Sequence, residues 1–337
     1  MSENKTKRVN IHDVAREAGV SVPTVSRAIN NRPRISKETR EHVLRVAKKL
    51  NYQPNKTARA LVTQRSHTIE VITTRPKHSL FSSSLASMSQ FIRAAGYQIT
   101  LSITDPNDFR DRLRSTTAQL TDGVILIVPN QDLRISADEL IELCAGVPFV
   151  QTTADLGDNS SSVIYDQGYG VELAVQHLID LGHRQIAEIS GKPQVFDTQL
   201  RHNAWLNTLR KNNIEPGPSV AGDFMAISGY NAAKELLENN YPFTAIFAGN
   251  DRMAIGAINA LREYGLRVPE DVSIVGYDNV ELGQYMQPPL TTVAQDFDKL
   301  GRLAADYLLS LIEDPETPVH QRILSPELII RQSTQKV

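Results

Sequence analysis

Apolar residues recur along this 337-residue chain in two different rhythms. Over the first fifty positions they fall at helical spacing. Ile11, Val14, Ala15 and Ala18 stripe one segment, Val25, Ala28 and Ile29 a second, and Val43, Leu44, Val46, Ala47 and Leu50 a third. From Thr68 onward, short apolar runs alternate with helical stretches. The runs predict strands at 68–73, 98–103, 123–128, 148–152, 162–165, 185–190, 245–248 and 272–276. The stretches predict helices at 85–95, 109–120, 170–181, 201–212, 232–239 and 253–264. Repeated strand–helix alternation means parallel sheets covered by helices on both faces. About eight such units exceed one comfortable sheet and point to two similar lobes.

The punctuation between the first two helices is specific. Gly19 can end the first in the left-handed region without a Cβ clash. Ser21 stands where an N-cap is wanted, and Pro23 falls in the first turn, where its missing N–H is not needed. With Val25, Ala28 and Ile29 turned inward, Val22, Pro23, Ser26, Arg27 and Asn30 lie nearer the outer side. Two short amphipathic helices joined by a tight turn make a helix-turn-helix, whose second helix enters the DNA major groove. Ser36 caps a third helix from Lys37 to about Leu50, Pro54 lies beyond its end, and Tyr52 is expected to pack back on the small core.

Charge sharpens this picture. Residues 1–65 hold 15 Lys/Arg against 5 Asp/Glu, while the remainder holds 21 against 33, although the whole chain is only −2. A basic head on an acidic body suggests nucleic acid at one end and a separate task at the other. Cys144 stands alone, which excludes an intrachain disulfide and points to a reducing compartment. No signal-peptide h-region and no membrane-spanning apolar run is present, so a cytoplasmic protein is expected.

Residues 13–30 spell D-V-A-x-x-A-G-V-S-x-x-T-V-S-R-x-x-N, which closely resembles the N-terminal signature of the lac/gal repressor family of bacterial transcription regulators. The resemblance implies DNA contacts from Ser21, Val22, Pro23, Thr24, Ser26, Arg27 and Asn30. A second signature, P-N-K-T-A-R-A-L at 54–61, matches the family's hinge helix, which orders when two copies lie side by side on DNA. By that resemblance Asn55 and Arg59 join the interface and Leu61 wedges into the minor groove. The residues alone also allow an ordinary linker with one apolar anchor.

Further matches are H-L-I-D-L-G-H-R-Q-I-A, A-I-F-A-G-N-D-R-M-A-I-G-A, R-V-P-E-D-V-S-I-V-G-Y-D and P-P-L-T-T-V, so the likeness runs from about Asn10 to Ser333. The implied fold is α/β: an N-terminal all-α helix-turn-helix head plus a two-lobed, periplasmic-binding-protein-like sensor with parallel doubly wound sheets. The implied division is 1–53 for the head, 54–67 for hinge helix and linker, and 68–337 for the sensor. Lobe 1 would take about 68–164 and 294–324, and lobe 2 about 165–293 and 325–337.

Ligands of open α/β sheets bind beyond the carboxyl ends of strands. Asn250 and Asp251 follow one predicted strand, Asp278 follows another, and Arg201 is expected to open a helix after the Gly191–Lys192–Pro193 loop. Asn250 and Asp251 serve equally well as helix caps, and Phe224 and Phe297 as core. The resemblance places Arg201, Phe224, Asn250 and Asp278 at effector-contacting positions, and adds Phe297, Thr153 and Phe81. Thr153 stands where several sugar-binding relatives carry an acid, and Ala204 where the family has glycine. With the basic run Arg75-Pro-Lys-His78, these departures suggest an effector larger or more anionic than a simple hexose.

The expected protein is thus a sequence-specific DNA-binding transcription regulator, a repressor, working as a homodimer on a palindromic operator. Its effector would be a small molecule, a sugar or glycoside, held between the lobes. The rival is a cytoplasmic sugar-binding protein or sugar enzyme with an incidental basic head. Against an enzyme, the chain lacks G-x-S-x-G, P-loop and H-E-x-x-H motifs, and its eight His show no metal-ligand spacing. No cofactor, metal or membrane is expected, and His183 reads as structural.

Overall fold

The computed structural model describes residues 9–30, 32–53, 65–74, 79–118, 121–128, 135–154, 156–157 and 159–337. The chain forms two compact units, Met1–Ser66 and His67–Val337.

In the first unit three helices share one core. Helix α1 (Ile11–Ala18) is held at its start by a reciprocal cap. Asn10 Oδ1 accepts from the amides of His12 (2.9 Å) and Asp13 (3.2 Å), and Asp13 returns an oxygen to the Asn10 amide at 3.0 Å. It ends at Gly19, φ 64°, with the Val20 amide reaching back to the Ala15 carbonyl at 3.1 Å. Ser21 Oγ accepts from the Thr24 amide at 3.3 Å and starts α2 (Val22–Ile29); Ser36 does the same for α3 (Lys37–Lys49) through Thr39 at 3.1 Å. Val14, Val25 and Val43, one from each helix, are fully buried together, and Tyr52 packs against them.

The second unit carries two six-stranded sheets. The chain lays down β1 (Thr68–Thr73), α4 (Ser79–Ala94), β2 (Gln98–Ile103), α5 (Phe109–Ala118), β3 (Gly123–Ile127), α6 (Ala137–Cys144), β4 (Phe149–Gln151) and β5 (Ser162–Tyr165). It then crosses to a second lobe: α7 (Gln167–Asp180), β6 (Ile186–Ser190), α8 (Phe196–Lys211), β7 (Ser219–Ala221), α9 (Ala226–Glu238), β8 (Ala245–Ala248), α10 (Asp251–Glu263), β9 (Ser273–Asp278) and β10 (Thr291–Ala294). It returns for α11 (Phe297–Glu313) and β11 (Gln321–Leu324), and crosses once more into β12 (Glu327–Ile329). The first sheet runs β11-β5-β4-β3-β1-β2, all parallel. The second runs β12-β10-β9-β8-β6-β7, parallel except for β12 against β10. Central strands such as β3, β6, β8 and β9 are buried along their whole length, as a parallel sheet covered on both faces requires.

Several elements depart from the sequence expectation. Helix α8 begins at Phe196, so Arg201 lies in its second turn and does not open it. Val195 stands at the N-cap without a side-chain hydrogen bond, so no cap residue marks that start. Strand β9 runs through Asp278, two residues beyond the apolar run. Strand β10 is not marked by the apolar pattern because its buried residues include Thr291 and Thr292, whose hydroxyls are answered by the Arg331 amide and by Asp251. Helices α6 and α11 and strands β7, β11 and β12 were likewise missed. Among the described residues no helix is long and apolar enough to cross a membrane.

Candidate DNA interface and effector cleft

In the head, α2 turns Val25 and Ala28 into the core and leaves Pro23 and Arg27 exposed, with Val22, Thr24, Ser26 and Asn30 half-buried beside them. Two of the predicted contact residues have local duties. Ser21 caps the helix, and Asn30 donates from Nδ2 to the Ser26 carbonyl at 2.9 Å. Pro23, with no amide proton, and Arg27, one turn later, stand on the same outward face. Asn55, Arg59 and Leu61 lie outside the described residues.

In the body, the carboxyl ends of β4, β5 and β10 converge on a narrow cavity of about 20 Å³, room for one or two waters. Thr153, Arg201 and Phe297 line it, together with four residues that the sequence did not single out: Tyr165, Gln167, Asp197 and Gln295. The signal for three of these was positional, since Tyr165, Gln167 and Gln295 sit where the chain crosses between lobes. Phe297 serves also as core, packing among Leu300, Ala304 and Tyr165.

Arg201 is buried and fully engaged. Its guanidinium lies over the Tyr277 ring at 3.8 Å. Nε donates to Gln167 Oε1 at 3.0 Å, Nη1 to the Gly249 carbonyl, and Nη2 to Asp278 Oδ1 at 3.5 Å. Asp278 stands one bond behind the cavity wall and also accepts from Gln295 Nε2 at 3.2 Å. Burial pushes the Tyr277 hydroxyl well above the ordinary tyrosine range.

Buried Asn250 and half-buried Phe224 form a separate corner. Asn250 Oδ1 caps α10 through the Met253 amide (2.9 Å), and its Nδ2 donates to the Phe224 carbonyl at 3.1 Å. Asn250 therefore acts here as cap and tether. Phe81 falls in α4, but its side chain lies outside the described residues. Asp251 is wholly buried, accepting from the Val280 amide (2.7 Å) and Thr292 Oγ1 (2.5 Å), and burial lifts its carboxyl to about 7. His183 bridges Thr244 Oγ1 (2.9 Å) and the Gln335 carbonyl (3.2 Å), a structural post.

Both lobes also present exposed apolar side chains: Leu101 and Ile103 on edge strand β2, and Ile227, Leu282 and Tyr285 on elements flanking α10.

Comparison with known proteins supplies relatives over nearly the full length. Residues 10–55 match the family described as bacterial regulatory proteins, lacI family, and residues 175–334 match the periplasmic binding protein-like domain. The chain is 34% identical over 336 residues to the probable HTH-type transcriptional repressor ExuR of Bacillus subtilis (strain 168), covering 98% of this chain and 99% of that one. It is similar to a lac repressor dimer solved bound to operator and the anti-inducer ONPF, with TM-score 0.91, 33% identity and coverage of 98% and 100%. A solved complex of the transcriptional regulator CelR with cellobiose has TM-score 0.71 at 31% identity, with coverage of 97% and 100%.

Proposed function

Since the chain belongs to the lacI family of bacterial regulatory proteins, we propose that it is a repressor whose head reads a palindromic operator and whose two-lobed body holds a carbohydrate effector. The observation that carries the DNA half is the face of α2: Val25 and Ala28 are locked in the core while Arg27 and Pro23 stand in solvent on the opposite side. Arg27 is assigned to base edges, with Val22 and Pro23 in apolar contact beside it. Ser21, Thr24, Ser26 and Asn30 border that face, and Asn55, Arg59 and Leu61 are assigned to the hinge and minor groove. Residues 1–53, 54–67 and 68–337 act as head, hinge and sensor.

Chemistry at the cleft favours a polyhydroxylated ligand. Arg201 and the two glutamines donate, Asp197 accepts with Asp278 one hydrogen bond behind the wall, and Phe297 and Tyr165 are aromatic, a set that serves sugar hydroxyls in both directions. Thr153 supplies a hydroxyl at the wall, and the family resemblance assigns Phe224, Asn250 and Phe81 to the same ligand. A cavity of about 20 Å³ admits a sugar ring only when the lobes part, so ligand and lobe geometry are linked. The CelR–cellobiose complex supports this ligand class, and the operator-bound dimer supports both the DNA partner and the homodimer. The exposed apolar residues of β2 and of the α10 flank are the surfaces such a dimer would cover. Kinship with named repressors supports regulation without catalysis.

Selection of genomic fragments by mobility shift, followed by thermal-shift screening against sugars and glycosides, tests the reading. A palindromic consensus and a sugar that shifts both melting and DNA affinity are expected. Sequence-indifferent binding would overturn it.

A further inference from the structure

Four buried or half-buried side chains around the cleft close into a ring with one direction. Arg201 Nε donates to Gln167 Oε1 (3.0 Å), Gln167 Nε2 donates to Gln295 Oε1 (3.0 Å), and Gln295 Nε2 donates to Asp278 Oδ1 (3.2 Å). The 3.5 Å contact between Arg201 Nη2 and Asp278 Oδ1 closes it. The direction follows from the ends. A guanidinium can only donate and an ionised carboxylate can only accept, so each amide must turn its oxygen toward Arg201 and its nitrogen toward Asp278.

The two glutamines occupy two of the three places where the chain passes between lobes. Gln167 is the first residue of α7, directly after β5, and Gln295 lies between β10 and α11. Beside them the crossings are tied together. Tyr165 Oη accepts from the Asp296 amide (2.8 Å) and donates to the Asp296 carbonyl (3.1 Å), while the Asp166 amide donates to the Leu324 carbonyl (3.0 Å). The glutamine amides thus join the ion pair at the back of the cleft to the segments that must move when the cleft opens.

We infer that Gln167 and Gln295 are positioning residues that pass the state of the Arg201–Asp278 pair to the interlobe crossings. This rests on the reading of the cleft as the effector site. A sugar hydroxyl, donor and acceptor at once, can enter the longest link, between Arg201 and Asp278, accepting a hydrogen bond from Arg201 and donating one to Asp278. Either end of the relay then changes partner, and the crossings feel it through the amides.

Because the run of bonds through the two glutamines is directional, it can be broken and re-formed by moving its carboxylate. Gln167→Glu keeps the acceptor for Arg201 but removes the donor toward Gln295. If Gln295 turns to supply that donor, its oxygen faces Asp278, acceptor against acceptor. Adding Asp278→Asn places a donor opposite Gln295 and restores the run of amide bonds from the other end with net charge unchanged, giving up only the 3.5 Å Arg201 link that used the same oxygen. Gln295→Glu meets the same conflict directly at Asp278 and is relieved by the same partner change.

Hydrogen–deuterium exchange of the full-length protein, without DNA or sugar, reads the outcome at the amides of Asp166 and Asp296. Gln167→Glu should speed their exchange roughly tenfold or more, leaving β6 and β8 unchanged, and Gln167→Glu with Asp278→Asn should return close to the parent. Parental exchange in the single variant, or a double variant as fast as the single, overturns the proposal. Where Gln167→Glu does not fold, Gln295→Glu alone and with Asp278→Asn gives the same comparison. Since no ligand is present, failure here leaves the assignment of operator and effector standing, and failure of that assignment leaves this measurement interpretable.

Discussion

Arg201 and Asp278 stand 77 positions apart in the chain and meet at 3.5 Å behind the cleft, the guanidinium flat on the ring of Tyr277. Arg201 reaches that point from the second turn of α8, and Asp278 from the last residue of β9. The pair is buried, so each charge depends on the other and on the surrounding dipoles.

Removing one partner should therefore cost stability as well as ligand response. Arg201→Ala leaves the Asp278 carboxylate and the Gly249 carbonyl buried with a donor missing, an expected loss of about 3–5 kcal/mol. Urea unfolding followed by the fluorescence of Trp205, the single tryptophan and buried in the same helix, measures it. A midpoint equal to the parent's would show that the ion pair is dispensable.

Arg27→Ala should weaken operator binding by about 1–3 kcal/mol while leaving salt-dependent binding to random DNA nearly intact, since a base contact and not a phosphate contact is lost. Titration of operator and scrambled duplexes at two salt concentrations separates the two terms.

Asp251 predicts a pH dependence of stability. Its folded carboxyl titrates near 7, above the unfolded value near 4, so the native state holds the proton more tightly. Its contribution to stability is complete below about pH 4 and is lost as pH rises through about 7. Asp251→Asn keeps an oxygen for the Val280 amide and offers its NH₂ to Thr292 Oγ1, without the charge. The stability of the parent relative to this variant should fall between pH 5 and pH 8, by on the order of a few kcal/mol at most. A pH-independent difference in denaturation midpoints contradicts the assignment.

Helices α9 and α10 are in backbone contact. A Cβ at Gly256 would sit 1.8 Å from the Ala226 carbonyl oxygen, and one at Gly229 would sit 2.1 Å from that of Met253. Gly256→Ala must push the helices apart and should cost on the order of 3 kcal/mol, at the upper end of overpacking changes. The denaturation midpoint should drop with the slope unchanged.

Tyr285 and Leu282, 73% and 60% exposed, are large apolar groups in solvent on one short turn. Replacing both with Asp should convert a dimer to a monomer without altering monomer stability by more than about 0.5 kcal/mol. Sedimentation equilibrium of the double variant decides it, and an unshifted mass would place the subunit contact elsewhere.

The helix-turn-helix was legible residue by residue. Its caps, its glycine turn and its apolar stripes are local devices, each confined to a few neighbouring positions, and the structure returns Gly19, Ser21 and Ser36 in capping or turn roles and adds Asn10 as the cap of the first helix. The alternation of strands and helices was legible for the same reason, since buried parallel strands must be apolar throughout. What stayed hidden is where polar residues are buried in pairs. Nothing in T-T-V-A announces a central strand, because the hydroxyls of Thr291 and Thr292 find their partners at the Arg331 amide and at Asp251, 40 and 41 positions away. Nor does either glutamine announce a ring, since Gln167 and Gln295 are ordinary polar residues until the crossings bring them within 3.0 Å. A hydrogen bond between distant segments has no period and no composition. Its meaning depends on what stands opposite, and only the tertiary structure supplies that.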